Sequence, residues 1–392
     1  MKLLVLGAGM MGSAAAYDMA RCARVESVTL ADTDPKRARE AAAQINRMVE
    51  VPRRVRAVAL DVEDTNAVKS LMARHEGALS AVPYFHNLKL AKAAVAAGCH
   101  FADLGGNNVV VKAELALEAH AARRKVRLAP DCGLSPGMVS VLGGELMRRA
   151  GGRADALKIF VGGLPQKPVP PFGYQLAFSV EGLINEYAEP AKILRKKKLA
   201  TVEPLTEVET FRIEGLPELE AFHTSGGTST LPESYAGKVG ECFEKTLRYP
   251  GHAAAIRALY DFGLFDNTPR KIGEARVSPR QMMAALMLEK FGGNQPDLTI
   301  MRVEAHTGLR VRSFTLVDRS DPKTGMTSMM RTTAWPASIV LQMLVSGEIE
   351  KLGAVLQERD IPAEQFQAEM GARGMEILYE SRNAADDEGT EK

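Results

Sequence analysis

Four cysteines, Cys22, Cys99, Cys132 and Cys242, are scattered through 392 residues without a CxxC pair. That scarcity argues against a disulfide framework or a cysteine-bound zinc ion and fits a reducing cytoplasm. Every apolar run is shorter than the ~20 residues a bilayer-spanning helix needs, and the N-terminus lacks a signal-peptide pattern, so no membrane association is expected. The seven histidines show no HExxH spacing. Neither a GxxxxGK[ST] phosphate loop nor a GxSxG elbow occurs, so metal, ATP and acyl-serine chemistry are disfavoured and no metal is expected. Charge of one sign is missing too: 50 lysines and arginines face 48 aspartates and glutamates. With no field to attract nucleic acid or an anionic membrane, a small ligand is favoured over a polyanion. No internal repeat is visible, and the only basic run, Arg195 to Lys198, reads more readily as a solvated hairpin turn than as an anion site.

What the chain does have is core-forming residues, 46% of the total, in a length that suits two domains sharing a cleft. The segment KLLVL, followed by glycines and then SAAAYDMARC, reads as strand, tight turn and helix. Next come the strand VESVTLAD, ending at Asp32, and a charged helix from Pro35 to Val49. Strands around 55–60 and 78–82 and helices led by Asp64 and near 89–97 continue the alternation to short strands at 100–103 and 126–129. Such alternation predicts a parallel sheet with helices on both faces. From Asp131 the texture changes. The Pro/Gly-rich GGLPQKPVPPFGY precedes period-two stretches, VETFRIEG, TIMRVEAHTG, RVRSFTLVD and MTSMMRTTAW, which predict strands of a mixed or antiparallel sheet. After Trp335, ASIVLQMLVSGEI has helical periodicity, and the closing SRNAADDEGTEK is too polar to hold a fold.

The expected fold class is therefore α/β, an N-terminal doubly wound parallel sheet of Rossmann type plus a second α+β domain with a mixed or antiparallel sheet. The expected boundaries are 1–132 for the nucleotide domain and 133–334 for a substrate and oligomerisation domain. Residues 335–380 form a helical segment returning to the first domain, and 381–392 a flexible tail.

Gly7-Ala8-Gly9-Met10-Met11-Gly12 has GxGxxG spacing directly after a predicted strand and directly before a helix. In that setting Gly7 permits the tight turn, Gly9 lets a pyrophosphate approach the backbone at the helix N-terminus, and Gly12 allows helix and strand to pack closely. Met10 and Met11 supply amides of the same turn. Asp32, at the end of the next strand, stands where a ribose-binding acid belongs, and its charge would repel the 2′-phosphate of NADP. NAD is accordingly the expected cofactor. Arg37 and Arg39 are near enough to soften that repulsion, though helix-surface arginine is the plainer reading. Asp61 follows the third strand, where it either borders the adenine or caps a helix. Val82 and Pro83 sit where a nicotinamide ribose would pass, and Gly105, after a later strand, is a further cofactor-binding candidate.

The opening MKLLVLGAGMMG, VTLADTDP, Ala81-Val82-Pro83-Tyr84-Phe85-His86, Phe101-Ala102-Asp103-Leu104-Gly105-Gly106 and Asp131-Cys132-Gly133-Leu134-Ser135-Pro136-Gly137-Met138 together resemble the saccharopine-dehydrogenase-like superfamily over nearly the whole chain. Within it, Gly162-Gly163-Leu164-Pro165, Phe178-Ser179-Val180-Glu181-Gly182-Leu183 and Ala221-Phe222-His223-Thr224-Ser225-Gly226-Gly227-Thr228-Ser229-Thr230 look like the L-lysine 6-dehydrogenases. The resemblance implies a soluble homo-oligomer, a dimer or larger, acting on a small amino acid or amine. The reaction it implies is NAD-dependent oxidation of lysine at the ε-carbon, giving the semialdehyde, ammonia and NADH. The alternatives are a saccharopine- or opine-type NAD(P)-dependent reductase and a catalytically silent NAD-binding regulator.

Hydride leaves such a carbon only when the amine is neutral. A free lysine amine has a pKa of about 10.4, so activity should rise toward alkaline pH unless a base intervenes. Candidates for that proton transfer are Tyr84 and His86, after a strand's C-terminal end, Asp103 beside Gly105, and Glu181 and His223 of the second domain. Three have a plain alternative: His86 and Asp103 as caps, His223 as a buried, hydrogen-bonded histidine. For the α-carboxylate, Arg248 offers a planar fork, with Lys245, Thr224, Ser225 and Tyr174 as further substrate-binding candidates. A surface salt bridge is the plain alternative for Arg248.

Overall fold

The computed structural model describes residues 1–50, 54–293 and 295–383. Two compact units emerge: Met1–Glu145 with Pro322–Met326 and Met330–Ile377, and Leu146–Asp321 with Thr327–Met329 and the strand beginning at Leu378. The division between these compact units falls within a helix, at Glu145 and Leu146.

The first unit runs β1 (Lys2–Leu6), α1 (Met10–Arg21), β2 (Ser27–Asp32), α2 (Pro35–Met48), β3 (Val55–Ala59), α3 (Thr65–Met72), β4 (Gly77–Ser80), α4 (Asn87–Ala97), β5 (His100–Asp103), α5 (Asn108–Leu115), α6 (Glu118–Arg123) and β6 (Arg127–Ala129), then α7 (Met138–Arg149), which leads into the second unit. Leu3 to Leu6 and all of β4 are buried, as strands covered on both faces must be. Helix starts obey local chemistry: the Asp34 carboxylate accepts from the amides of Lys36 and Arg37, and Asp64 does the same for Asn66 and Ala67. The seven strands are parallel in the order β17-β6-β5-β4-β1-β2-β3, where β17 is a late segment placed below. Strand order reverses between β1 and β4, and ligands of such sheets bind beyond the carboxyl ends there. The GxGxxG turn and residues 81–86 occupy that point.

The second unit comprises β7 (Ala154–Pro165), α8 (Val180–Ala188), β8 (Ala191–Arg195), β9 (Lys198–Val202), β10 (Glu209–Phe211), β11 (Leu219–His223), α9 (Leu231–Tyr235), β12 (Val239–Arg248), α10 (His252–Asp261), the small hairpin β13 (Arg270–Ile272) and β14 (Ala275–Val277), α11 (Pro279–Phe291), β15 (Asp297–Thr307) and β16 (Arg310–Arg319). The chain ends with α12 (Ser328–Ser346), β17 (Gly353–Ala354), α13 (Gln357–Asp360), α14 (Ala363–Ala372) and β18 (Leu378–Asn383). The second sheet is nine-stranded and mixed: β7 and β12 pair in parallel, and the remaining pairs are antiparallel. Lys196 and Lys197 form the exposed β8–β9 turn with both φ angles positive, so the basic run is a solvated hairpin. No helix among the described residues is long and apolar enough to cross a membrane.

Two expectations from the pattern need correction. MTSMMRTTAW is not a strand; from Ser328 it is the start of α12. Its amides are capped from a distance, since the Asp297 carboxylate accepts from Ser328 at 2.6 Å and Met329 at 3.0 Å. No local signal announces that cap. The expected helical segment and tail also conceal strands. β17 joins the first sheet, and residues 378–383 form β18 against β16, so the tail expected from 381 begins inside a strand; positions 384–392 lie outside the described residues.

Candidate active site

The GxGxxG turn is built so that only glycine fits at two of its positions. Gly7 has φ +99°, and a Cβ there would meet the Ala81 carbonyl oxygen at 2.7 Å. A Cβ on Gly12 would stand 1.8 Å from the Gly7 oxygen. Gly9 differs, because nothing lies within 4 Å of its missing Cβ. Helix α1 starts there with no side-chain cap and no acid in its first turn. Bare amides, a positive dipole end and open space fit a dinucleotide pyrophosphate.

Asp32 is close by and already engaged. Its Oδ2 accepts from the Ala8 amide at 2.7 Å, and Oδ1 accepts from the Asp34 amide at 2.9 Å and Arg37 Nη2 at 3.1 Å. Burial opposes its ionisation, but those two amides and Arg37 outweigh it and hold the carboxyl below the usual range. The acid is therefore charged, and it ties the glycine turn to β2. Asp61 is exposed and accepts from the Glu63 amide at 2.9 Å in a turn, while the cap of α3 is Asp64. Val82 packs near the Gly7 turn and Pro83 is exposed beyond it.

Past β4, the structure divides the acid–base candidates. His86 Nδ1 pairs with Glu63 Oε1 at 2.8 Å, and Lys89 binds the same carboxylate at 2.8 Å, so His86 belongs to an ion-pair network with the loop between β3 and α3. Tyr84 is half-buried, its Cβ lying 3.1 Å from the missing Cβ of Gly106. Asp103 is fully buried and acts as a pin: Oδ1 accepts from the Gly105 amide at 2.7 Å and the Asp131 amide at 3.2 Å. Gly105 has φ +76°, with the Asp131 side chain where a Cβ would be.

Behind Asp103 lies Glu114 of α5, 1% exposed, an acid that the sequence did not single out. Asp103 Oδ2 and both Glu114 oxygens lack a hydrogen-bond donor. A proton on Glu114 supplies one, and the two acids then share it. Burial, and next the Asp103 charge, hold the Glu114 carboxyl far above its usual range. The folded chain thus keeps a proton that the unfolded chain releases in the ordinary carboxylate range, and stability from this group is full at acid pH and lost as pH rises. Glu114→Gln, which donates at every pH, should melt higher than the parent above pH 8, by about 1–2 kcal/mol, and match it near pH 4. Parallel melting curves from pH 4 to 9 would remove the shared proton.

In the second unit, strand parity separates residues that sequence neighbourhood had grouped. His223 and Lys245 are register partners on one face of β11 and β12; Glu244, Thr246 and Arg248 alternate onto the other. On the first face everything is occupied. His223 is buried between the Glu244 carbonyl and Glu207 Oε2, both at 3.2 Å, with burial lowering its pKa. Lys245 donates to the Glu207 carbonyl at 2.6 Å and pairs with Glu209 at 2.9 Å. Glu181, 64% exposed on the first turn of α8, pairs with Arg280. Glu181 and His223 therefore form no proton relay with each other, and Lys245 is a structural cation.

The other face holds Arg248, 3% exposed. It is no surface salt bridge. Its guanidinium lies 4.6 Å from the Tyr174 ring centroid, Nε donates to the Tyr187 hydroxyl at 3.2 Å, and Nη1 donates to the Leu247 carbonyl at 2.9 Å. The Tyr187 hydroxyl donates a hydrogen bond to His252 Nε2 at 2.9 Å, and His252 Nδ1 donates to the Phe172 carbonyl at 2.8 Å. A carbonyl only accepts, so His252 is the neutral Nδ1–H tautomer; burial, then Arg248, drive its pKa down to about 3. Thr224 is buried with its hydroxyl 2.6 Å from Thr246, whereas Ser225 lies at the rim, 3.4 Å from the Pro190 carbonyl.

Comparison with known proteins gives these features a context. The profile described as "Saccharopine dehydrogenase C-terminal domain" matches residues 133–375, and that described as "Saccharopine dehydrogenase NADP binding domain" matches residues 3–128. The chain belongs to the saccharopine dehydrogenase family. A relative from Schizosaccharomyces pombe named "Saccharopine dehydrogenase [NADP(+), L-glutamate-forming]" is 26% identical over 253 residues, 62% of this chain and 56% of its own. The Saccharomyces cerevisiae protein of that name is 24% identical over 225 residues, 55% of this chain and 50% of its own. The chain spans about half the length of the curated relatives it matches. The solved apo saccharopine dehydrogenase (L-Glu forming) from S. cerevisiae shares the fold, with TM-score 0.79 at 18% identity over 97% of this chain and 99% of that one.

For this member of the saccharopine dehydrogenase family, sequence reasoning named Tyr174, Thr224 and Arg248 as substrate-binding candidates but gave no role to Glu186, Tyr187, Glu244 or His252. The spacing of Glu244, Thr246 and Arg248 at i, i+2 and i+4 was the available signal for one of them. Glu186 and Tyr187, on α8, carry no such signal.

Proposed function

We propose that this chain is a nicotinamide-dinucleotide-dependent oxidoreductase that acts at a carbon bearing an amino-acid nitrogen. The observation that carries the proposal is the uncapped start of α1 over open space at Gly9, with Asp32 fixed beside it. When bound there, the nicotinamide supplies the hydride chemistry, and Gly9, Met10, Met11 and Gly12 would hold the pyrophosphate. Arg248, with one edge of its fork unused, is the group for a substrate carboxylate.

A saccharopine-type secondary amine is the first substrate, supported by the names of the matched relatives. Oxidation of lysine at the ε-carbon is the second reading. It is favoured by Arg248 as the lone arginine of its buried cluster, because a molecule with additional carboxylates asks for further cations. Assays of saccharopine and of lysine, each with NAD and with NADP, separate the two by product: glutamate in the first case, ammonia in the second. If neither these nor a broad amine panel yields reduced cofactor between pH 7 and 10, the proposal fails.

The relatives' names specify NADP, whereas the charge of Asp32 supports NAD for this chain. Asp32→Ser removes the repulsion and leaves Arg37 unpaired. The ratio of kcat/KM for NADP over NAD should then rise by about tenfold, or ~1.4 kcal/mol. A parent enzyme already preferring NADP would overturn the Asp32 reading alone.

A further inference from the structure

We infer that Glu186 and Glu244, together with Arg248 and Tyr174, form a receptor for the zwitterionic head of an α-amino acid, with the ammonium on the carboxylates and the carboxylate on Arg248. The inference rests on the proposed amino-acid substrate and adds which end of it the second unit holds.

Geometry comes first. Arg248 is fixed on three sides, by the Tyr174 ring, the Tyr187 hydroxyl and the Leu247 carbonyl, and Nη2 takes no hydrogen bond among the described residues. Glu186, half-buried on α8, feels the charge of Arg248 but forms no ion pair with it, and its carboxylate has no hydrogen-bond donor among the described residues. A core salt bridge would have closed that gap, since an uncompensated buried charge is costly. Tyr174 is 7% exposed, and its ring rather than its hydroxyl faces the cation. Among the described residues the Glu244 carboxylate has two long contacts, from the Thr224 hydroxyl at 3.3 Å and the Thr246 hydroxyl at 3.4 Å. Two carboxylates without strong partners thus lie within electrostatic reach of one oriented cation that has a free edge, an arrangement suited to a small ligand.

Charge then selects the ligand. Burial pushes Glu186 up to about 7, against the pull of Arg248. Burial, then Glu186, pushes Glu244 up to about 8. Burial opposes ionisation of both carboxyls and the Glu186 charge opposes that of Glu244, so one negative charge on the pair is favoured over two beside Arg248. Charges of opposite sign set near one another suit a ligand whose own charges are separated; a simple amine or a simple carboxylate would each leave one buried charge unanswered. Gly227 lets the wall close on this pocket, because a Cβ there would meet Glu244 Cγ at 2.7 Å.

Calorimetric titration of the cofactor-free chain with L-lysine, 6-aminohexanoate and cadaverine tests the receptor without turnover. L-Lysine should bind, and loss of either the α-amine or the carboxylate should weaken binding by about tenfold or more. Glu186→Gln should weaken L-lysine by about tenfold while leaving 6-aminohexanoate, which has no α-ammonium, unchanged. That difference would not arise from a merely structural role. Equal affinity for L-lysine and 6-aminohexanoate, an unaltered affinity in Glu186→Gln, or no heat from any probe overturns the inference. The expected binding pattern without reduced cofactor in any assay would instead sink the oxidoreductase proposal and leave the receptor standing.

Discussion

Gly9→Ala should melt at the same temperature as the parent and lose dinucleotide affinity by about a hundredfold, whereas Gly12→Ala should lose both stability and binding. The two glycines lie three positions apart in one turn, but their missing Cβ atoms face different things. At Gly12 the Cβ would stand 1.8 Å from the Gly7 oxygen and 2.9 Å from its carbonyl carbon, and both are backbone. Gly7 cannot retreat, since its own Cβ position is already 2.7 Å from the Ala81 oxygen. The start of α1 must therefore move off β1, a change costing about 1–3 kcal/mol of stability. At Gly9, φ is −73° and nothing lies within 4 Å, so alanine is free of strain. The methyl group enters only the space where phosphate oxygens would meet the helix amides. Melting curves paired with calorimetric titrations of NAD and NADP measure both effects. A Gly9→Ala chain that binds either dinucleotide like the parent would falsify the phosphate cradle.

The second large effect is expected at Arg248. Arg248→Leu removes the Nε donor from Tyr187 and the cation from the Tyr174 face. It also removes the charge that pulls Glu186 down. Breaking such a buried arrangement from one side costs about 3 kcal/mol or more of stability. Arg248→Lys keeps the charge but not the planar fork, so it should fold better and still bind substrate poorly. KM should rise by about tenfold or more with kcat less affected, because the lost contact is made before and during the reaction alike. Steady-state kinetics with the best amino-acid substrate, beside denaturant unfolding, checks both parts. An unchanged KM in Arg248→Lys takes Arg248 out of the substrate site.

How much of this was legible in the chain depends on the range of the interactions that decide each feature. The turn from Gly7 to Gly12, Asp32 at the end of β2, the caps at Asp34 and Asp64 and the Lys196-Lys197 hairpin are all fixed by residues within a few positions of one another, or by one strand beside the next. For these, local sterics and hydrogen bonding suffice. The same holds for the parallel sheet, whose strands declare themselves by unbroken apolar runs.

Other features depended on partners far along the chain. MTSMMRTTAW alternates like a strand, yet Asp297 caps its amides and turns it into α12. His223 and Glu181 had the composition of a relay, but Glu207 and Arg280 claim them separately. Asp103 ends a strand, as a catalytic acid would, and its role as a pin became visible only with Gly105, Asp131 and Glu114 around it.

By itself the sequence determined a nucleotide-binding turn and a parallel sheet, since these follow from spacing along a single segment. Only the tertiary structure decided which face of β12 closes on itself and which stays open, and which carboxyls keep their protons. Burial and charge are properties of surroundings, and those surroundings are assembled from segments as far apart as Glu186 and Arg248.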